Sequence, residues 1–126
     1  MKVYEGLFDG VMGKTAKNTD AEVSAALAFI RANFKRNFTS DEVAKCCNLS
    51  KSYLRSRFSC AMGMSMTDYR ESLRISEAQN MLKSGFFSVK EVAQELGYFD
   101  VFHFTKRFSM AVGVSPAAYK KSFHTK

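Results

Sequence analysis

The chain has no tryptophan, one proline, two histidines and three cysteines among 126 residues, and each scarcity excludes something. With Pro116 as the lone proline, there is little to break regular structure. Apolar residues recur at three- and four-residue spacing in nearly every segment, which is the period of a helix and not of a strand. Cys46, Cys47 and Cys60 are odd in number and lack the paired spacing of a disulfide framework or a zinc ligand set, so a reduced, cytoplasmic protein is expected. The cysteines fall in helical stretches while His103 and His124 lie far along the chain, so no nucleophile is placed with a base. Neither an enzyme nor a cofactor or metal site is expected. No run reaches the roughly 18 apolar residues of a membrane span, and the opening MKVYEGLFDGVMGK lacks the apolar stretch of a signal peptide. Acid is scarce as well: twelve Asp and Glu face nineteen Lys and Arg, for a formal charge of +7 that favours a polyanionic partner.

What is present suits a small helical domain. Apolar residues make up 46% of the chain, with twelve Phe, which is enough material for a core. Thr19 with Glu22, Thr39 with Glu42 and Ser88 with Glu91 have capping-box spacing, and Ser50, Ser65 (with Asp68), Asp100 and Ser115 before Pro116 can cap four more helices. Gly63, Gly85, Gly97 and Gly113 each follow a helical run, where a left-handed residue closes the last turn. The spacing predicts an all-α chain with seven helices over 20–36, 40–47, 51–62, 66–84, 89–96, 101–112 and 116–123. Residues 1–18, which hold three glycines, are expected to be a linker or N-terminal extension.

Within this pattern lies a repeat. RSRFSCAMGMSMTDY (55–69) and TKRFSMAVGVSPAAY (105–119) share Arg, Phe, Ser, Ala, Gly, Ser and Tyr at positions 50 apart. Upstream, Val43 and Ala44 match Val92 and Ala93 at an offset of 49, which places one extra residue in the second copy's turn. Each copy is a short helix, a tight turn and a second helix, the layout of a helix-turn-helix. A solenoid would need at least three stacked repeats to bury a continuous core, and there are two. Residues 19–65 are therefore expected to be a first subdomain, 66–84 a connecting helix and 85–126 a second subdomain.

On helix 51–62, Leu54, Phe58 and Ala61 share one side and leave Ser52, Arg55, Ser56 and Ser59 outside. On helix 101–112, Phe104, Phe108 and Ala111 point inward and Phe102, Thr105, Lys106 and Ser109 outward. Neither helix contains an acid. A merely solvated face interleaves acids with bases, as this chain does elsewhere, whereas basic and hydroxyl side chains without acids suit double-stranded DNA. The alternative is a helical protein-interaction module, for which Phe86, Phe87, Phe99 and Phe102 would supply the apolar contact.

The second unit, VAQELGYFDVFHFTKRFSMAVGVSPAAY, resembles the DNA-binding domain of the AraC/XylS family of bacterial transcription regulators in Ala93, Gly97, Tyr98, Asp100, Phe104, Phe108, Gly113, Ser115, Pro116 and Tyr119. The central helix is similar too, in Tyr69, Arg74 and Ala78. The likeness covers roughly 19–123. It implies two recognition helices entering successive major-groove segments, joined by a helix of about 27 Å. Carried over by position, the base readers fall on Ser52, Arg55 and Ser56 in the first unit and on Phe102 and Lys106 in the second. Ser50, Lys51, Arg57, Ser59, His103, Thr105, Arg107, Ser109, Lys120 and Lys121 are the expected backbone contacts. Phe102 departs from the family, which has a small or polar residue there; the phenylalanine either meets a thymine methyl or turns inward as the helix rotates. The resemblance further implies a nucleoid location, RNA polymerase as a candidate partner, and an effector-sensing or dimerisation domain ahead of this one.

Overall fold

The computed structural model describes residues 17–124. The expected linker over 1–18 lies outside the described residues, apart from its last two positions. Among the described residues there are seven helices and no strand: α1 Lys17–Asn33, α2 Ser40–Cys47, α3 Lys51–Met62, α4 Met66–Ser84, α5 Val89–Glu95, α6 Val101–Val112 and α7 Pro116–His124. They form two compact units. One takes the described residues up to Asn33 together with Asn37–Glu71, the other Phe34–Arg36 together with the described residues from Ser72 onward.

The caps explain the starts. Thr39 and Ser88 each accept the backbone N–H of the glutamate three residues on, and each glutamate returns to the cap's own N–H, so both capping boxes close. Ser50, Ser65, Asp100 and Ser115 accept from Tyr53, Asp68, His103 and Ala118. Gly63 and Gly113 close α3 and α6 in the left-handed region, at φ 74° and 98°. Asn48 does the same for α2, at φ 59°, a stop that a search for glycines passes over.

The first helix differs from expectation at both ends. Thr19 lies inside α1 and not at its cap, and the helix stops at Asn33 instead of continuing to 36. The reason is tertiary: the Arg74 guanidinium takes the carbonyls of Phe34 (2.6 Å) and Arg36 (3.0 Å), holding this segment out of helical register.

In the first unit the buried residues are Val23, Leu27 and Ile30 of α1, Val43 and Ala44 of α2, Leu54 and Phe58 of α3, and Tyr69 of α4. Tyr69 is buried with its hydroxyl satisfied by Arg31 Nε at 2.8 Å, which removes the cost of an unpaired polar atom in the core. The second unit gathers Ala78 and Leu82 of α4, Val92 of α5, Leu96, and Phe104 and Phe108 of α6, with Phe34, Val112 and Tyr119 against them. Each buried phenylalanine contributes about 2–3 kcal/mol. The inward stripe of α6 is Phe104, Phe108 and Val112, whereas Ala111, expected inside, is exposed. Four-residue steps keep the larger side chain over the core.

The two copies superimpose in their hydrogen bonds. Leu49 N–H bonds to the Ala44 carbonyl and Tyr98 N–H to that of Ala93; Asn48 pairs with Lys45 and Gly97 with Gln94. Up to Tyr98 the offset is thus 49, and from Asp100 it is 50. The inserted turn residue is Phe99, 91% exposed. The repeat also preserves a ring pair, Phe58–Tyr69 at 5.9 Å and Phe108–Tyr119 at 5.4 Å.

Candidate nucleic-acid interface

α3 is held by Leu54 and Phe58, both fully buried, and this fixes which side of the helix faces out. Ser52, Arg55, Ser56 and Ser59 are all exposed on that side. Arg55, Ser56 and Ser59 line a concavity of about 430 Å³ together with Ser40, Ser65, Met66 and Thr67. Ser40 and Thr67 were not among the expected contacts. The signal that could have found them is their place beside the caps Thr39 and Ser65, where the first turns of α2 and α4 begin.

The flanking residues are partly engaged within the fold. Ser50 uses a lone pair for the cap and keeps its hydroxyl proton to donate. Lys51 pairs with Asp41 at 3.6 Å, an exposed contact worth about 1 kcal/mol at most. Arg57, half-buried, lies over the Tyr53 ring at 5.9 Å, and the Tyr53 hydroxyl donates to Glu22 at 3.2 Å.

α6 presents a different surface. Phe102 is 80% exposed, so the helix has not rotated to bury it; Phe104 and Phe108, both fully buried, hold the opposite side of the helix against the core. Lys106 and His103 are exposed, while Thr105, Arg107 and Ser109 are half-buried. The His103 ring stands edge-on to Tyr98 at 5.6 Å. Lys120 donates to the Phe87 carbonyl at 2.8 Å, so its ammonium holds the loop before α5, whereas Lys121 is exposed.

The thiols are less interior than their helical positions suggest. Cys46 and Cys60 are exposed and Cys47 is partly covered. Burial, and then the neighbouring Cys46, push the Cys47 thiol up from its ordinary value. Among the described residues no group of three or more His, Cys, Asp or Glu is placed to hold a metal ion. No helix among them is long and apolar enough to cross a membrane.

A family model described as a helix-turn-helix domain matches residues 43–122, from α2 into α7. The chain belongs to the AraC/XylS family. It is a DNA-binding domain of the kind found in these bacterial transcription regulators. The AraC-type domain is 33% identical over 94 residues to the MmsAB operon regulatory protein of Pseudomonas aeruginosa, covering 75% of this chain and 31% of that protein. It superimposes on the C-terminal domain of AraT, a response regulator from Geobacillus stearothermophilus, with a TM-score of 0.76 at 28% identity, over 80% of this chain and 84% of that one. The DNA-binding domain of AdpA, solved in complex with a target DNA, shares the fold at a TM-score of 0.76 and 24% identity, over 81% and 92% of the two chains. The AraC-type chain spans from 31% to 46% of the length of the curated relatives it matches.

Proposed function

We propose that the domain reads specific double-stranded operator sequences by placing α3 and α6 in successive major-groove segments. The observation that carries this reading is the outer face of α3, where Ser52, Arg55, Ser56 and Ser59 are exposed over two fully buried anchors and no acid interrupts them. Arg55 donates to guanine O6 and N7, and Ser52 and Ser56 bond to neighbouring base edges. Phe102 and Lys106 meet bases from α6. Ser50, Lys51, Arg57, Ser59, His103, Thr105, Arg107, Ser109, Lys120 and Lys121 contact the phosphate backbone and set register without reading sequence. The family supports the rest of the proposal: action in the bacterial cytoplasm at the nucleoid, contact with RNA polymerase at a promoter, and an effector or dimerisation domain as companion.

The test is selection of bound sequences from random DNA, repeated with Arg55→Ala. The variant should lose preference at one site position and bind about 1–3 kcal/mol more weakly, while Lys121→Ala should weaken all sequences alike. Affinity should fall steeply as salt rises. Unchanged preferences in Arg55→Ala would refute its role, and affinity indifferent to salt would favour an apolar protein interface instead.

A further inference from the structure

Phe102, Lys106 and Met110 follow one another at four-residue spacing along the outer side of α6, with Phe102 80% and Met110 72% exposed. The matching positions of α3, 50 residues earlier, are Ser52, Ser56 and Cys60, also exposed. One copy of the repeat thus presents small side chains where the other presents two large apolar ones around a cation. Leaving a phenylalanine in water forgoes the burial that Phe104 and Phe108 obtain. The helix that carries it, and α7 after it, hold charge of one sign. From Val101 to the end of the chain there is no acid, while Lys106, Arg107, Lys120 and Lys121 are basic. The acid just before α6, Asp100, has its carboxylate on the His103 N–H as helix cap. A cationic frame of this kind fits a polyanion and not a neutral apolar protein surface. On the base edges of a major groove, the apolar group is the C5 methyl of thymine.

We propose that Phe102 reads a thymine through its methyl group, so that the second unit discriminates by apolar contact where the first uses hydrogen bonds. This rests on the reading above that α6 enters the major groove. Phe99 is still more exposed but precedes α6 and lies off the Phe102–Lys106–Met110 stripe, in a groove of about 240 Å³ that it shares with Lys90, Gln94, Tyr98, and Asp100 and Val101 at the start of α6. It therefore serves as a matched comparison.

The experiment measures affinity for a selected duplex in which each thymine of the α6 half-site is replaced, one at a time, by deoxyuridine, which lacks only the methyl. With the wild-type domain, one replacement should weaken binding about three- to tenfold. In Phe102→Ala that sensitivity should vanish, whereas Phe99→Ala and Arg55→Ala should retain it. Phe102→Leu should keep part of it, because the contact needs an apolar surface and not a ring. Far-UV circular dichroism checks that the variants stay folded. Deoxyuridine tolerated at every position, or sensitivity surviving in Phe102→Ala, would overturn methyl reading while leaving sequence-specific binding intact. Loss of DNA bending in Phe102→Ala without deoxyuridine sensitivity would overturn it too, in favour of a wedge between bases. Absence of any sequence preference on unmodified DNA would instead overturn the reading beneath it, and this one with it.

Discussion

Arg74→Met should unfold the second unit more readily than any exposed substitution, and its cost can be worked out from the contacts. Arg74 is 3% exposed, donates from Nε and Nη2 to the carbonyls of Phe34 and Arg36, and lies 5.2 Å from the centre of the Tyr98 ring. Hydrogen bonds from a charged donor contribute about 1.5–3 kcal/mol each, and a partly desolvated cation over a ring about 0.5–2 kcal/mol. Against these stands the cost of stripping water from a guanidinium, several kcal/mol, which methionine does not incur. Methionine also keeps the apolar stem, and the Arg36 carbonyl belongs to an exposed residue and can regain water. The net loss should be about 2–4 kcal/mol, a fall in Tm of roughly ten degrees or more for a domain of this size. Arg74→Lys should recover less than half, because one compact ammonium cannot span two carbonyls as the planar fork does. Urea titration followed by far-UV circular dichroism measures both variants. A loss under about 1 kcal/mol for Arg74→Met would refute the clamp and leave the early end of α1 without its cause.

Glycines at similar positive φ should differ by their surroundings. Gly97→Ala, at φ 85°, drives its Cβ into the Lys35 carbonyl and should cost about 2–4 kcal/mol, whereas Gly63→Ala, at φ 74° in open space, should cost about 1 kcal/mol in the same titration. Cys47 should alkylate more slowly than Cys46 and Cys60 at pH 8, because its raised pKa leaves less thiolate; peptide mass mapping of an iodoacetamide time course reads the order. For the same reason the folded state holds the Cys47 proton above pH 9.0, where the unfolded chain releases it. Its contribution to stability is full below that pH and is lost as pH rises through the folded value, so Cys47→Ser should flatten the alkaline limb of a stability profile. Glu95→Gln should change stability by less than about 1 kcal/mol, since its ion pair with Lys35 at 3.3 Å is exposed on both sides.

Much of this molecule was determined by short-range rules that the sequence states outright. Six of the seven expected caps form as expected because a hydroxyl or carboxylate three residues before a backbone N–H needs nothing from the rest of the fold. The internal match around Phe58 and Phe108 likewise announced two helix-turn-helix copies, since identical anchors at one offset require identical local packing. What the sequence left open depended on groups distant along the chain. The end of α1 follows from Arg74, some 40 residues away, taking the carbonyls of the residues just after it. Periodicity put Phe102 outside but left open a rotation of the helix that would bury it; with Phe104 and Phe108 both fully buried, that rotation does not occur. Ser40 and Thr67 joined Arg55 around one concavity only when α2, α3 and α4 packed. Local hydrogen bonds fix where most of the helices start, but the side of a helix that remains exposed is decided by which side chains win the interior.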